Sequence, residues 1–217
     1  MQKINVEGVK FQPWVGKDYD KGFVLQDGNL MPCSEQNENA VKILVLGESH
    51  YCDNSTDAEN PNLTRGIIKD YIASKEFEPY MATYIKFERA LVGEVVEDKA
   101  NVWENLAFYN YVQKAMPSPR VSPLYADFSN SETAYWKVVD KLKPDIIICW
   151  GLRLYSNIPQ YSDNDREMSF PFDDDECIAW QYSDSNMCII PIYHPSSSFS
   201  WEYWHNVIVL ILKSIRK

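Results

Sequence analysis

The sequence predicts an α/β domain: a three-layer α/β/α sandwich around a central, mostly parallel sheet of four strands. Three observations predict it. Short apolar runs end abruptly in turn signals at 41–46, 106–112, 145–150 and 187–192, and such runs read as strands buried on both faces. Helical stretches lie between the first three of these runs and after the last, the pattern of helices covering a parallel sheet. No repeat, low-complexity tail or shift in composition divides the chain, so residues 1–217 read as one domain, with 1–40 a lead-in and 41–217 the core.

In the lead-in, residues 22–31 read as two short strands around Asp27-Gly28-Asn29. The first core strand, 41–46, is followed by Gly47 and a polar stretch, 52–62, that reads as a loop. A helix is expected over 62–73, with Thr64 as its cap. A second is expected over 76–92, where Phe77, Tyr80, Met81, Tyr84, Phe87, Leu91 and Val92 recur at helical spacing before Gly93. The next strand, 106–112, carries Asn110 near its end. Three prolines within 116–123 make that segment a rigid loop. A helix capped by Ser131 runs to Leu142 and stops at Lys143-Pro144. The strand 145–150 closes at Gly151, residues 152–186 read as irregular and acidic with an edge strand near 178–182, and 187–192 is the last strand. A helix over 201–216 ends the chain, with Trp201, Tyr203, Trp204 and His205 packing it on the sheet.

The formal charge of −10 is the wrong sign for an overall basic footprint on nucleic acid, so such a role needs a local basic patch. Lys114, Arg120 and Arg153 are the candidate phosphate contacts. Asp173-Asp174-Asp175-Glu176 reads as a solvated acidic loop rather than a cation site. No apolar run is long enough for a membrane span and residues 1–10 lack the apolar core of a signal peptide, so a cytoplasmic protein without a membrane partner is expected. The five cysteines include no C-x-x-C pair; free thiols are expected, with no metal and no cofactor.

Two segments carry the chemistry. Gly47-Glu48-Ser49-His50-Tyr51 and His194-Pro195-Ser196-Ser197-Ser198 each follow an apolar strand directly. In open α/β sheets ligands bind beyond the carboxyl ends of the strands, so Glu48, Ser49, His50 and His194 are expected to converge on one crevice. The first segment lacks the Gly-Lys-Ser/Thr element of a P-loop and the second glycine of a nucleophile elbow.

Together these segments resemble the uracil-DNA glycosylase superfamily. Its first motif, Gly–Gln/Glu/Met–Asp/Ala/Asn–Pro–Tyr/Gly, follows strand one, and its second, His-Pro-Ser-Pro-Leu-Ser, precedes the last helix. Residues 107–119 look like the family's strand ending in a base-reading Asn with its Pro-rich loop. Residues 143–151 are similar to its Lys-Pro-x-apolar-Gly strand. The order holds over roughly residues 40 to 217.

The resemblance implies hydrolysis of the N-glycosidic bond of a damaged base flipped out of single- or double-stranded DNA. It assigns His194 as the donor that stabilises charge on the departing base. Asn110 becomes the reader of the base edge, and a first-motif carboxylate orients water. Tyr51, Phe108 or Tyr109 would stack on the base, and Gly47, His50 and Ser196 complete the binding wall.

The chain departs from that pattern. Ser49 stands where the best-known branch has its water-activating Asp, leaving Glu48 as the acid, and His50 replaces the motif's proline. The second motif lacks its later proline and leucine. Iron–sulfur cysteines have no counterpart. Two alternatives follow: a catalytically silent protein binding a free nucleobase or nucleotide in the same pocket, and an unrelated hydrolase using Ser49 with His194 as its base.

Overall fold

The computed structural model describes residues 1–215 apart from 53, 120, 161, 184 and 186. It begins with a two-residue strand, β1 (Trp14–Val15), and a hairpin of β2 (Phe23–Gln26) and β3 (Asn29–Pro32). Then come β4 (Ile43–Gly47), α1 (Ser55–Ala58), α2 (Leu63–Ala73), α3 (Met81–Val92), α4 (Lys99–Trp103) and β5 (Ala107–Asn110). The chain continues through α5 (Tyr125–Ser129), α6 (Glu132–Leu142), β6 (Ile146–Trp150) and α7 (Leu152–Tyr155). A hairpin of β7 (Arg166–Phe172) and β8 (Asp175–Gln181), then β9 (Cys188–Ile192) and α8 (Trp201–Ile215), complete it.

Among the described residues seven strands form one sheet, in the order β1-β5-β4-β6-β9-β8-β7. The four central strands, β5, β4, β6 and β9, are mutually parallel; β1 and the β7–β8 hairpin add antiparallel strands at the two sides. The expected four strands are thus the middle of a larger, mixed sheet. All residues of β4, β5, β6 and β9 are buried, which is why their sequences, Asn110 at the end of β5 apart, are runs of apolar and aromatic residues rather than alternating.

Pleating sends successive side chains to opposite faces. Ile43, Val45, Phe108, Ile148 and Trp150 join one apolar cluster with residues of α2, α3, α4 and α8. Leu44, Leu46, Tyr109, Ile147 and Cys149 join another with residues of α5, α6 and α7. Helices therefore flank the sheet on both faces.

Several elements differ from the sequence reading for local reasons. Pro79 restricts the backbone before it, so α3 starts at Met81 and Phe77 is exposed. Gly93, at φ +87°, ends that helix as expected. Thr64 caps nothing: it is buried, and Asn62 occupies the cap position. Residues 99–103 wind into α4, capped by the Asp98 side chain on the Ala100 N–H, and of the expected 106–112 strand 107–110 form β5. Residues 166–181 form a long hairpin rather than irregular chain, with Asp173 and Asp174 in its turn and Asp175 and Glu176 already in β8. Arg216, the expected end of α8, lies outside the described residues. Among the described residues no helix is long and apolar enough to cross a membrane.

Buried polar contacts lock the pieces around the sheet. Glu88 on α3 accepts from Tyr71 Oη of α2 at 2.8 Å and from Trp103 Nε1 of α4 at 3.0 Å, satisfying a buried carboxylate as burial requires. Asn105 donates to the carbonyls of Gly22 and Cys33 at 3.0 and 2.8 Å, tying the β2–β3 hairpin to the chain entering β5. Asn105→Ala leaves both carbonyls without that donor, so it is expected to cost about 2 kcal/mol and to lower the melting temperature by roughly 4–8 °C. Thermal unfolding by circular dichroism checks this, and an unchanged melt contradicts the assignment.

Candidate functional site

The parallel register puts four strand ends level. Gly47 pairs with Asn110 across β4 and β5, and Trp150 pairs with Ile192 across β6 and β9. From the centre the chain winds one way from β4 to β5 and the other way from β6 to β9, so the switch point lies between β4 and β6, where α/β sheets hold their ligands. A cavity of about 740 Å³ opens there. Its floor and walls come from the four tips, and its cover from Tyr80, Thr83 and Tyr84 at the start of α3 and Ile67 of α2.

Gly47, Glu48, Ser49, His50, Tyr51, Phe108, Asn110, His194 and Ser196 all line this cavity. Tyr109 does not: it points to the opposite face of the sheet and is fully buried there. Backbone bonds hold the first motif in place. The N–H groups of Tyr111, Val112 and Met116 donate to the carbonyls of Gly47, Glu48 and His50 at 2.9, 2.8 and 2.8 Å.

Glu48 is not a free carboxylate. Arg153, at the start of α7, grips it with Nε on Oε2 at 2.7 Å and Nη2 on Oε1 at 2.5 Å, while Nη1 donates to Ser122 Oγ at 2.5 Å. The paired carboxylate raises the guanidinium's pKa further. Glu48 is almost covered and Arg153 half exposed, so this bidentate pair spans the switch point. The sequence offered Arg153 as a phosphate contact or a solvated surface charge; its guanidinium is held by the site's own acid. Lys114 is likewise paired, with Asp127 at 3.0 Å, and Arg120 lies outside the described residues.

His194 sits at the tip of β9 with its tautomer fixed by backbone. The Ser196 N–H donates to Nδ1 at 3.2 Å, and Ser196 Oγ lies 2.7 Å from the same atom. Nδ1 is therefore an acceptor, and the ring hydrogen is on Nε2. Burial lowers the pKa of His194, opposed by the Glu48 charge and aided by Arg153. The outcome is a neutral imidazole offering an N–H donor at the cavity wall. Among the described residues no hydrogen bond joins Ser49 Oγ to a histidine or a carboxylate, so the Ser–His nucleophile reading finds no geometry there.

His50 is buried between Thr64, Asn110 and Phe11. Nε2 lies 2.8 Å from Thr64 Oγ1, the Asn110 amide nitrogen lies 3.2 and 3.1 Å from Nδ1 and Nε2, and Phe11 meets the ring edge-on at 4.9 Å. Burial lowers its pKa to about 4. The apolar wall is Phe108, Tyr84 and Trp150, in mutual ring contact at 5.2 to 6.2 Å. Trp150 also meets His194 edge-on at 5.8 Å, and its buried Nε1 has no hydrogen-bond partner among the described residues. Trp150 was within reach of sequence reasoning, since it ends a strand as Asn110 does. Tyr80, Thr83 and Tyr84 carried no signal beyond helical spacing.

No protein-family model matches this chain, and no curated protein matches it either.

Gly47 is required by close approach. A Cβ there would stand 2.2 Å from Asn110 Oδ1 and 3.0 Å from Phe108 Cζ. Gly47→Ala is expected to displace the Asn110 amide and cost about 1–3 kcal/mol by overpacking; a variant with wild-type melting contradicts this contact. His50 also gives a signed pH dependence. The unfolded ring takes a proton near pH 6.5 and the folded ring only near 4, so its contribution is neutral above 6.5 and increasingly destabilising as pH falls to 4. At about 1.36 kcal/mol per pH unit the full penalty is about 3 kcal/mol. Denaturant melts of wild type and His50→Phe between pH 7 and 4 should diverge by that amount, the wild type losing more.

Proposed function

We propose that this chain is a divergent member of the uracil-DNA-glycosylase-like superfamily, a three-layer α/β/α domain that accepts a flipped base in the cavity and hydrolyses its N-glycosidic bond. The observation that carries the reading is His194: a neutral imidazole with its N–H held on Nε2, at the tip of the last parallel strand, across a cavity also lined by Asn110 and Phe108. Breaking the C1′–N bond sends its electron pair into the base, and a fixed donor at a base carbonyl stabilises that charge without reorganisation. Phe108, Tyr84 and Trp150 offer ring surface to a flat heterocycle, and Asn110 supplies the amide that reads its edge. Glu48 favours positive charge on the sugar and keeps lone pairs for a water even while both its oxygens accept from Arg153. Water then adds to C1′, and its proton leaves through solvent or the base.

The Glu48–Arg153 pair favours a second reading, since it cancels the carboxylate's charge: a silent protein that binds a free nucleobase or nucleotide. One experiment separates the two. Oligonucleotides bearing uracil or hypoxanthine, single- and double-stranded, are incubated with the protein and abasic sites revealed by alkaline scission. Cleavage supports the hydrolase, and His194→Ala is then expected to lower the rate by about 10²–10³-fold. Equal rates for the variant remove the assigned role. No cleavage, with melting raised by bases or nucleotides, supports the binder; neither cleavage nor a shift removes both.

A further inference from the structure

A carboxylate that is almost covered from water needs a partner for its charge. Glu48, with 9% of its side chain exposed, finds that partner in Arg153, which is 52% exposed. Arg153 lies two residues beyond the segment 143–151 that resembles the family's strand, so the resemblance assigns it no role. We propose that Arg153 is a positioning residue for base cleavage: it acts on the substrate only through Glu48, fixing the plane of that carboxylate, and Ser122 of the Pro-rich loop fixes Arg153 in turn. This rests on the hydrolase reading and adds to it the residue that aims its acid.

Gly151, at φ +101°, turns the chain from β6 into α7, and its N–H donates to the Ile192 carbonyl at 2.8 Å. That bond anchors the start of α7 to the tip of β9, and from there the Arg153 side chain reaches across to the tip of β4. Its Nε and Nη2 meet the two Glu48 oxygens at 2.7 and 2.5 Å, and its Nη1 donates to Ser122 Oγ at 2.5 Å. One rigid plane of donors is thus tied to two separate segments of the chain.

Such a fork sets orientation as well as charge, because two parallel bonds leave the carboxylate no freedom to rotate. An ionised carboxylate has about four lone-pair sites, and the fork takes one on each oxygen. The sites left over are held in a fixed direction at the wall of the cavity that Glu48 lines, where they serve a water or the positive charge growing on the sugar. A lysine supplies the same charge as a point on a flexible stem and leaves the carboxylate free to turn. An Arg153 that only supported the fold would change stability alone, and one that touched a substrate phosphate would change binding. Each of the three roles leaves its own mark on the kinetics.

The test is single-turnover cleavage, with protein in excess, of an oligonucleotide bearing uracil or hypoxanthine in whichever form the wild type cleaves, with thermal melts to report folding. Arg153→Lys is expected to lower the maximal rate by about 10- to 100-fold, the scale of a small misplacement of a catalytic group, while the protein concentration at half-saturation stays where it was. Ser122→Ala should act in the same direction by a smaller factor, and carries the same test if Arg153→Lys does not fold. In the Glu48→Gln background neither change should lower the rate further, since groups that act as a unit are not additive. If Glu48→Gln is too slow to measure, the split between maximal rate and half-saturation in the single variants decides alone. A folded Arg153→Lys with the wild-type maximal rate, a loss confined to half-saturation, or a loss that persists at full size beside Glu48→Gln overturns the proposal while leaving the hydrolase reading. A wild type that cleaves neither base removes that reading and this inference with it.

Discussion

Parallel pairing of strands buried on both faces is the constraint on which the rest of the molecule depends. It forces β5, β4, β6 and β9 to end at one side, in a register that sets Gly47 beside Asn110 and Trp150 beside Ile192. Residues far apart in the chain then meet without any long loop having to carry them: Glu48 and Arg153, 105 positions apart, form a bidentate pair across two neighbouring strand tips. Slippage of one residue in any of these strands would turn its tip residue to the other face of the sheet.

The two histidines of the cavity show how one residue type is given two jobs by its surroundings. Both are kept neutral by burial. His194 has its Nδ1 occupied by a backbone N–H and so directs a donor outward. His50 is instead packed against Thr64 and Asn110 at the cavity wall. Charge, by contrast, is balanced locally: the carboxylate and guanidinium that line the cavity neutralise each other, and Lys114 is paired with Asp127.

What the sequence made legible were the strand ends. An apolar run stopping at Gly47 or before His194 is a local signal, because a doubly buried strand must be apolar and must stop where a turn begins. Pairings decided by distant chain were not legible. The β7–β8 hairpin carries acidic residues and, in β7, Pro171, and its pairing to β9 through Trp180 and Gln181 joins it to the large sheet. Arg153 looks like a surface charge until β6 places it opposite Glu48. Tyr109 and Phe108 are equally aromatic and adjacent, and the choice between them depended on which way the pleat turned, a matter of register with β4.

The outer boundaries of the sheet have a consequence for association between molecules. On one side it stops at β1, two residues long; on the other it stops at β7, whose Arg166, Glu167 and Pro171 place charge and a missing amide hydrogen along the free margin. Such margins do not template another chain's strand. Seven strands can therefore be laid side by side in one molecule without inviting an eighth from its neighbour.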